Sequence, residues 1–404
     1  MERAGGLVTL ADGPQLDAFA RLRVSSPDTI FESNFRNSSQ SLLWSSSTAT
    51  GGTVTNTTNT ASMDLSVTTS SGSSAIYQTR RYFPYNAGKS QFIIVTGILG
   101  TGQENTRKRI GYFDANDGIF FEQNGTTMYV VQRSSTSGSP VDTAVAQSSW
   151  NIDTMDGNGV SRLTFNPNYQ NIFAIDLEWL GAGRVRLALV IDGQIIPVHS
   201  FNNANSATVQ SGPYMRSGTL PVRAEIANTG AAAASSTLKL ICTSVMSEGG
   251  AQSYGQVLSA SRGFTLRTVT TSLVPVVSGR LKSTNLHSAA KLVSAGAWGS
   301  TADDLNVVML INPTLTGATF AASSGTNVEI DTAATALTGG TQISNQFSKA
   351  TTQSSNTAEL ALGNALNTWF SASVAGVADI FCLAARCQTG TADVTGYLTW
   401  LELP

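Results

Sequence analysis

The chain has 404 residues, of which 41% are hydrophobic and only 12% charged, with 24 Lys and Arg against 26 Asp and Glu. That apolar content supports folded cores and excludes a disordered chain, while a net charge of −2 provides no general attraction for phosphate backbones or anionic membranes. Gly, Ser, Thr, Asn and Ala take the place of the missing ions, and no run reaches the roughly eighteen apolar residues that a membrane helix needs.

The opening MERAGGLVTLADG carries Glu2, Asp12 and a broken apolar run, so it does not read as a secretion signal, and synthesis in a cytoplasm is expected. Residues 1–36 hold short apolar pieces separated by Pro14 and Pro27, too thin for a core of their own. They read as an N-terminal arm that packs on a neighbouring domain or subunit, with Leu7 to Phe35 as its anchor. From Asn37 to Gln78 the chain is rich in Ser, Thr, Asn and Gly, yet MDLSVTT alternates and Trp44, Met63, Leu65, Val67 and Ile76 are interspersed, which predicts polar-faced strands. QFIIVTGILG, RIGYFDANDGIFFEQNG and TMYVVQRSS follow as short apolar runs between Gly and Asn-Gly turns. Arg107-Lys108-Arg109 reads as a solvated hairpin end.

Between Asp176 and Phe201 the pattern is most explicit. Phe173, Ile175, Leu177 and Trp179 share one face of a strand, and Ala174, Asp176 and Glu178 share the other, which reads as wet. After Leu180-Gly181-Ala182-Gly183 the alternation resumes with Val185, Leu187, Leu189 and Ile191 opposite Arg184, Arg186 and Ala188. Asp192-Gly193 then supplies a two-residue hairpin turn, and Ile195 to Phe201 forms a third strand. GAGRVR is therefore a sheet connection; a phosphate-cradling glycine loop would need a helix N-terminus after it, and here a strand follows. With PVRAEIANTG and STLKLICTSVMSEGG the set predicts one antiparallel, jelly-roll-like β-sandwich over residues 37–250.

EGGAQS, residues 248–253, breaks the apolar pattern. Beyond it FTLRTVTTSLVPVVSGRLK, LNVVMLINP, VADIFCLAARC and TGYLTWLELP read as strands of a smaller β-rich domain over residues 251–404, with one possible short helix in TAELALGNAL. The fold class is thus all-β: a sandwich, a second smaller β domain and an extended N-terminal arm. Cys382 and Cys387 lie five residues apart on one strand, on opposite faces and about 16 Å apart, so they cannot bridge. All three cysteines, Cys242 included, are expected as buried free thiols.

Chemistry-bearing residues are few. His199 and His287 are the sole histidines, neither beside a partner carboxylate or thiol in sequence, and no GxSxG, HExxH or CxxC pattern exists. No catalytic residue, metal ligand or cofactor is expected. Asp176 and Glu178, roughly 7 Å apart, are the nearest approach to a hydrolytic carboxylate pair, and read instead as surface acids. Asp114, Asn116 and Asp117 in DANDG read as a tight turn, with ion or sugar binding as the alternative. Tyr82, Tyr85 and Tyr214 read as exposed rings that could stack on sugars, or equally fill the sandwich or a subunit interface, in loops at 82–86 and 212–216.

DAFARLRVSSPDTIFESNF, KRIGYFDANDGIFFEQNG and LEWLGAGRVRLALVIDGQIIPVHSF with PVRAEIANTG resemble a family of tailed-bacteriophage virion structural proteins, over residues 15–250. The strand, DG turn and strand also resemble the core of laminin-G and concanavalin-like jelly rolls, a likeness of fold alone. The first resemblance implies a non-enzymatic building block on the virion exterior, as capsid decoration or as a tail or fibre component. It would be assembled in the host bacterial cytoplasm through homo-oligomer and arm contacts, with a homotrimer and other virion proteins as partners. The alternative is a carbohydrate-binding host-attachment module, an adhesin whose partner is a host surface glycan. A depolymerase acting on host polysaccharide is a third reading, resting on the carboxylates alone. Neither nucleic acid nor membrane is expected as a partner.

Overall fold

The computed structural model describes residues 15–18, 21–24, 26–206, 212–249, 254–299, 303–322, 325–349, 356–361 and 368–403. The chain forms two compact units, one of Met1–Thr79 with Tyr85–Gln252 and the other of Arg80–Pro84 with Ser253–Pro404. Both are built of antiparallel strands. Among the described residues helix is confined to single 3-10 turns such as Thr58–Thr60 and Gln147–Ser149, and no helix is long and apolar enough to cross a membrane.

The first unit begins with β1 (Pro27–Asn34), β2 (Trp44–Ala49), β3 (Thr53–Thr57), β4 (Ser62–Val67) and β5 (Ser74–Thr79). It continues with β6 (Gln91–Ile98), β7 (Thr106–Phe113), β8 (Gly118–Asn124), β9 (Thr127–Ser134) and β10 (Val141–Ala146). It ends with β11 (Asn171–Leu177), β12 (Arg184–Ile191), β13 (Gln194–Asn202), β14 (Val222–Asn228) and β15 (Ser236–Glu248). One sheet runs β13-β12-β11-β6-β15-β4-β3 with β1 also on β15, and the other runs β10-β9-β8-β7-β14-β5-β2. Their inner faces supply the core: Ile93, Val95, Phe173, Ile175, Leu187 and Val245 from the first, Ile110, Tyr112, Phe121, Val130 and Ile226 from the second, all buried. Phe121 and Phe173 meet across the layers with ring centroids 5.0 Å apart. This is the jelly-roll-like sandwich that the alternation predicts.

The meander β11-β12-β13 follows the predicted parity, and Asp192 (φ 52°) and Gly193 (φ 74°) form its turn in the left-handed region. The polar stretch after Asn37 is ordered as β2 to β5, where Trp44 stacks on Tyr77 at 4.9 Å.

Several expectations are corrected. Residues 27–34 are not part of a detached arm: β1 is a strand of the first sheet, hydrogen-bonded along β15. The arm residues that are described, from Gln15, fold back over the same unit, burying Leu16 and Ala18, while residues 1–14 lie outside the described residues. Asp176 and Glu178 are consequently not wet but 4% and 0% exposed, because the returning arm roofs their face of β11. Lys108 is likewise no solvated hairpin end. It lies mid-strand in β7, 1% exposed, with Nζ donating to the carbonyls of Leu99 (2.5 Å) and Thr101 (3.0 Å), and burial pushes its pKa down to about 8.

The second unit continues with β16 (Gln256–Ser261), β17 (Arg267–Val269), β18 (Val274–Leu281), β19 (Ala290–Gly299) and β20 (Leu305–Ile311). Then come β21 (Thr314–Thr316), β22 (Ala321–Ala322), β23 (Val328–Asp331), β24 (Ala336–Thr338) and β25 (Thr341–Ser348). The last are β26 (Asn356–Ala361), β27 (Trp369–Phe370), β28 (Phe381–Cys387) and β29 (Ala392–Glu402). Two sheets, β16-β29-β19-β26 and β22-β23-β18-β28-β20-β25, enclose Leu292, Phe370, Phe381, Leu398 and Trp400. The helix expected in TAELALGNAL is instead strand over Asn356–Ala361, paired with β19; residues 362–366 lie outside the described ones. Sheet pairing there overrides the helical propensity of Ala and Leu. Of the thiols, Cys382 and Cys387 are buried and free, and burial pushes Cys382 up to about 12. Cys242 departs from expectation: it is exposed, beside the register shift that separates Leu240 from Cys242 on β15.

Candidate functional site

The edge strands β13 and β10 leave one side of the sandwich open, and a cleft of about 1080 Å³ lies there. Its walls come from the β9–β10 hairpin, the end of β13 and the segment 212–216, all distant in sequence. Ser, Thr, Asn and Gln dominate the described lining, and Val141, Phe201, Pro213 and Tyr214 are its bulky apolar and aromatic members. Arg216 is the only charged residue of the described lining, which contains no Asp or Glu.

The cleft is held rigid by amides that bond reciprocally. Gln132 Nε2 donates to Asn203 Oδ1 and Asn203 Nδ2 donates back to Gln132 Oε1, each at 3.2 Å, linking the two sheets across their edges. Asn203 Nδ2 also donates to the Gly183 carbonyl at 3.0 Å. Asn151 Nδ2 donates to the Ser200 carbonyl (2.9 Å), and Ser200 N–H returns a bond to Asn151 Oδ1 (2.9 Å). Beneath them the backbone N–H of Asn151 donates to His199 Nδ1 at 3.2 Å, which fixes the imidazole as an acceptor; burial pushes its pKa down to about 4. His199 is structural, as its lack of sequence partners implied.

The DANDG loop is the turn that its composition suggests, and it serves the cleft from behind. Asp114 Oδ1 accepts from the N–H groups of Asn116 (2.7 Å) and Asp117 (2.8 Å). Asp117 Oδ1 accepts from the N–H groups of Ser135 and Arg216 at 3.1 Å each, and Oδ2 accepts from Ser135 Oγ at 2.7 Å. One buried carboxylate thus ties the hairpin to the 212–216 segment. Among the described residues no group of three or more His, Cys, Asp and Glu could hold a metal ion.

The three tyrosines separate. Tyr82 belongs to the second unit, buried and stacked on His287 with centroids 4.7 Å apart. Tyr85, half-buried, stands edge-on to Trp179 at 6.0 Å, and burial with the nearby Glu178 carboxylate pushes it up to about 12. Tyr214 lines the cleft but is 3% exposed, so both it and Tyr82 fill the fold, the second of the two readings, and neither presents an open ring for stacking. The Tyr214 Oη is closed to solvent and has no hydrogen-bond partner among the described residues, and burial, with Tyr85 nearby, raises its pKa well above the ordinary phenol range. The sequence gives no local signal for Gln132, Asn151 or Asn203, apart from the Ser/Thr/Gly run SSTSGSP between two apolar strands.

Asp176 and Glu178 do not form a hydrolytic pair. Asp176 Oδ2 contacts Arg186 Nη2 (2.6 Å) and Arg23 Nη2 (2.8 Å), and Ser90 Oγ donates to Oδ1. Both oxygens of Glu178 accept from Arg21 Nη2 at 2.9 Å. Burial raises the Glu178 pKa, offset in part by Arg21.

No protein-family model and no curated protein sequence matches the chain. Several solved structures are similar to it over about half its length. The Emp47p carbohydrate recognition domain is 9% identical, covers 54% of this chain and 96% of its own, and has a TM-score of 0.33. A Bacteroides ovatus mixed linkage glucan GH16, in complex with G4G4G3G product, is 10% identical over 54% of this chain and 99% of its own, with a TM-score of 0.36. The cellulose induced protein Cip1 is 12% identical over 53% and 96% respectively, with a TM-score of 0.33. At these identities and scores none of them assigns a residue or an activity to this chain.

Proposed function

We propose that the first unit is a non-catalytic carbohydrate-binding module that takes neutral saccharides in the cleft between β10 and β13, as an adhesin does. The described lining of hydroxyls and amides, with Arg216 as its only charged residue, carries this reading. Neutral sugars offer many weak donors and acceptors and little charge, and the lining matches that inventory. The absence of carboxylates from its described lining favours binding over hydrolysis, since glycoside cleavage ordinarily needs two. Applied to an array of neutral oligosaccharides, the full chain should give hits that Asn202→Ala weakens several-fold, with no new reducing ends on prolonged incubation. An array without hits would overturn the reading, and release of reducing ends would overturn its non-catalytic part.

A second reading, a structural part of a tailed-phage virion exterior assembled as a homotrimer, is favoured by a different observation. Tyr254, Val257 and Phe264, the last 96% exposed, stand on and beside the edge strand β16. Such apolar exposure suits an assembly surface. Light scattering on the purified chain tests it: a trimer supports assembly through the chain itself, and a monomer that also fails to join particles contradicts it. The two readings are compatible, since an attachment module can be a virion part.

A further inference from the structure

The second unit holds a hollow of about 350 Å³ on one face of the β20-β25-β28 region. Asn306 on β20 lies opposite Phe347 on β25 and opposite Arg386 on β28, so the three side chains form a row across one face. Strands about 4.8 Å apart make that row roughly 10 Å long, the scale of a sugar ring with its substituents. Two residues further along, the same face is apolar: Val308, Leu310, Cys382 and Ala384 are buried under Leu273, Leu315 and Leu337. The composition therefore changes where the cover ends, and Phe347 is left 72% exposed.

The polar part of the row is fixed in place. Arg386 Nε donates to Asn306 Oδ1 at 3.0 Å, and Asn306 Nδ2 donates to Asn345 Oδ1 and the Gln346 carbonyl at 3.3 Å each. This orients the guanidinium through Nε and leaves both Nη groups without a partner among the described residues. Lys349 Nζ, on the same rim, has none either, whereas Asp304 is the only carboxylate of the described lining. A flat apolar ring, a preoriented guanidinium fork and a second cation make a set that a neutral sugar would use only in part.

We propose that this hollow binds an acidic saccharide, its ring stacked on Phe347 and its carboxylate on Arg386 and Lys349. Ser348 and Gln388 then meet the hydroxyls, while Asn306 holds Arg386 in place. The site shares no residue with the cleft of the first unit and does not rest on that reading. The test is calorimetric titration of the full chain, at low salt, with a galacturonic acid trisaccharide, N-acetylneuraminic acid and a neutral galactose trisaccharide. Binding of at least one acidic probe is expected, weakened at least about tenfold by Phe347→Ala and by Arg386→Gln, with neutral binding unchanged. Phe347 is exposed, so its replacement should leave the melting temperature unaltered; Lys349→Ala provides a second variant at a rim position. The proposal is overturned if neither acidic probe binds, if these variants leave acidic binding intact, or if a polyglutamate peptide binds the same residues while the saccharides do not.

Discussion

Two regions of the first unit treat polarity in opposite ways. Beneath the returning arm, charge is concentrated and matched: Arg21, Arg23 and Arg186 neutralise Asp176 and Glu178, and Arg23 also reaches Glu248. At the β10–β13 edge the described lining is almost uncharged, made of amides and hydroxyls. The difference teaches where this chain keeps its structural interactions and where it leaves room for a ligand. Buried ions must find partners within the fold, since an unpaired one costs several kcal/mol, whereas neutral polar groups can wait for a ligand at modest cost.

The comparison is broken most severely by removing one charge from the covered face. Asp176→Ala strips Arg186 and Arg23 of their shared carboxylate and should destabilise the first unit by about 3–5 kcal/mol in urea unfolding. Saccharide binding by the remaining folded fraction should be unchanged.

Lys108 is a smaller case of the same kind, a buried cation served only by carbonyls. Its folded pKa of about 8 lies below the ordinary 10.5, so between these values the unfolded chain holds the extra proton. Stability should therefore rise with pH across that window, by about 2–3 kcal/mol. Lys108→Met should remove that rise, as unfolding midpoints at pH 8 and pH 10 will tell.

His199, under the cleft, gives the acid counterpart. With a folded pKa of about 4 against an ordinary 6.5, its contribution is fully present above pH 6.5 and is lost as pH falls toward 4. The loss should be at most about 3 kcal/mol, because over that range the unfolded chain takes up the proton that burial keeps off the folded imidazole. His199→Gln should flatten the pH dependence of the melting temperature over that range.

What was legible in the sequence is what depends on near neighbours. The period of two from Phe173 to Phe201, and the Asp192-Gly193 turn, set the meander and its register. Asp176 and Glu178 looked wet because alternation reports only that a face differs from the core; the arm that covers them comes from about 160 residues earlier, as the separation of 157 between Arg21 and Glu178 states. The same limit explains Lys108, whose charge suggests solvent while its strand faces inward. TAELAL carries helical propensity, and only pairing with β19 makes it a strand. Tyr214 is legible as an aromatic of the 212–216 loop, but its burial depends on partners distant in sequence. Gln132, Asn151 and Asn203 were invisible because each becomes a wall only when the two sheets meet.

Asn202→Ala tests the cleft as the binding site most directly, because Asn202 is an exposed amide of its lining. Titration with the tightest neutral saccharide should show about 3- to 10-fold weaker binding. The melting temperature should hold, because the replaced side chain is exposed. Unchanged saccharide affinity would contradict the placement of the saccharide between β10 and β13.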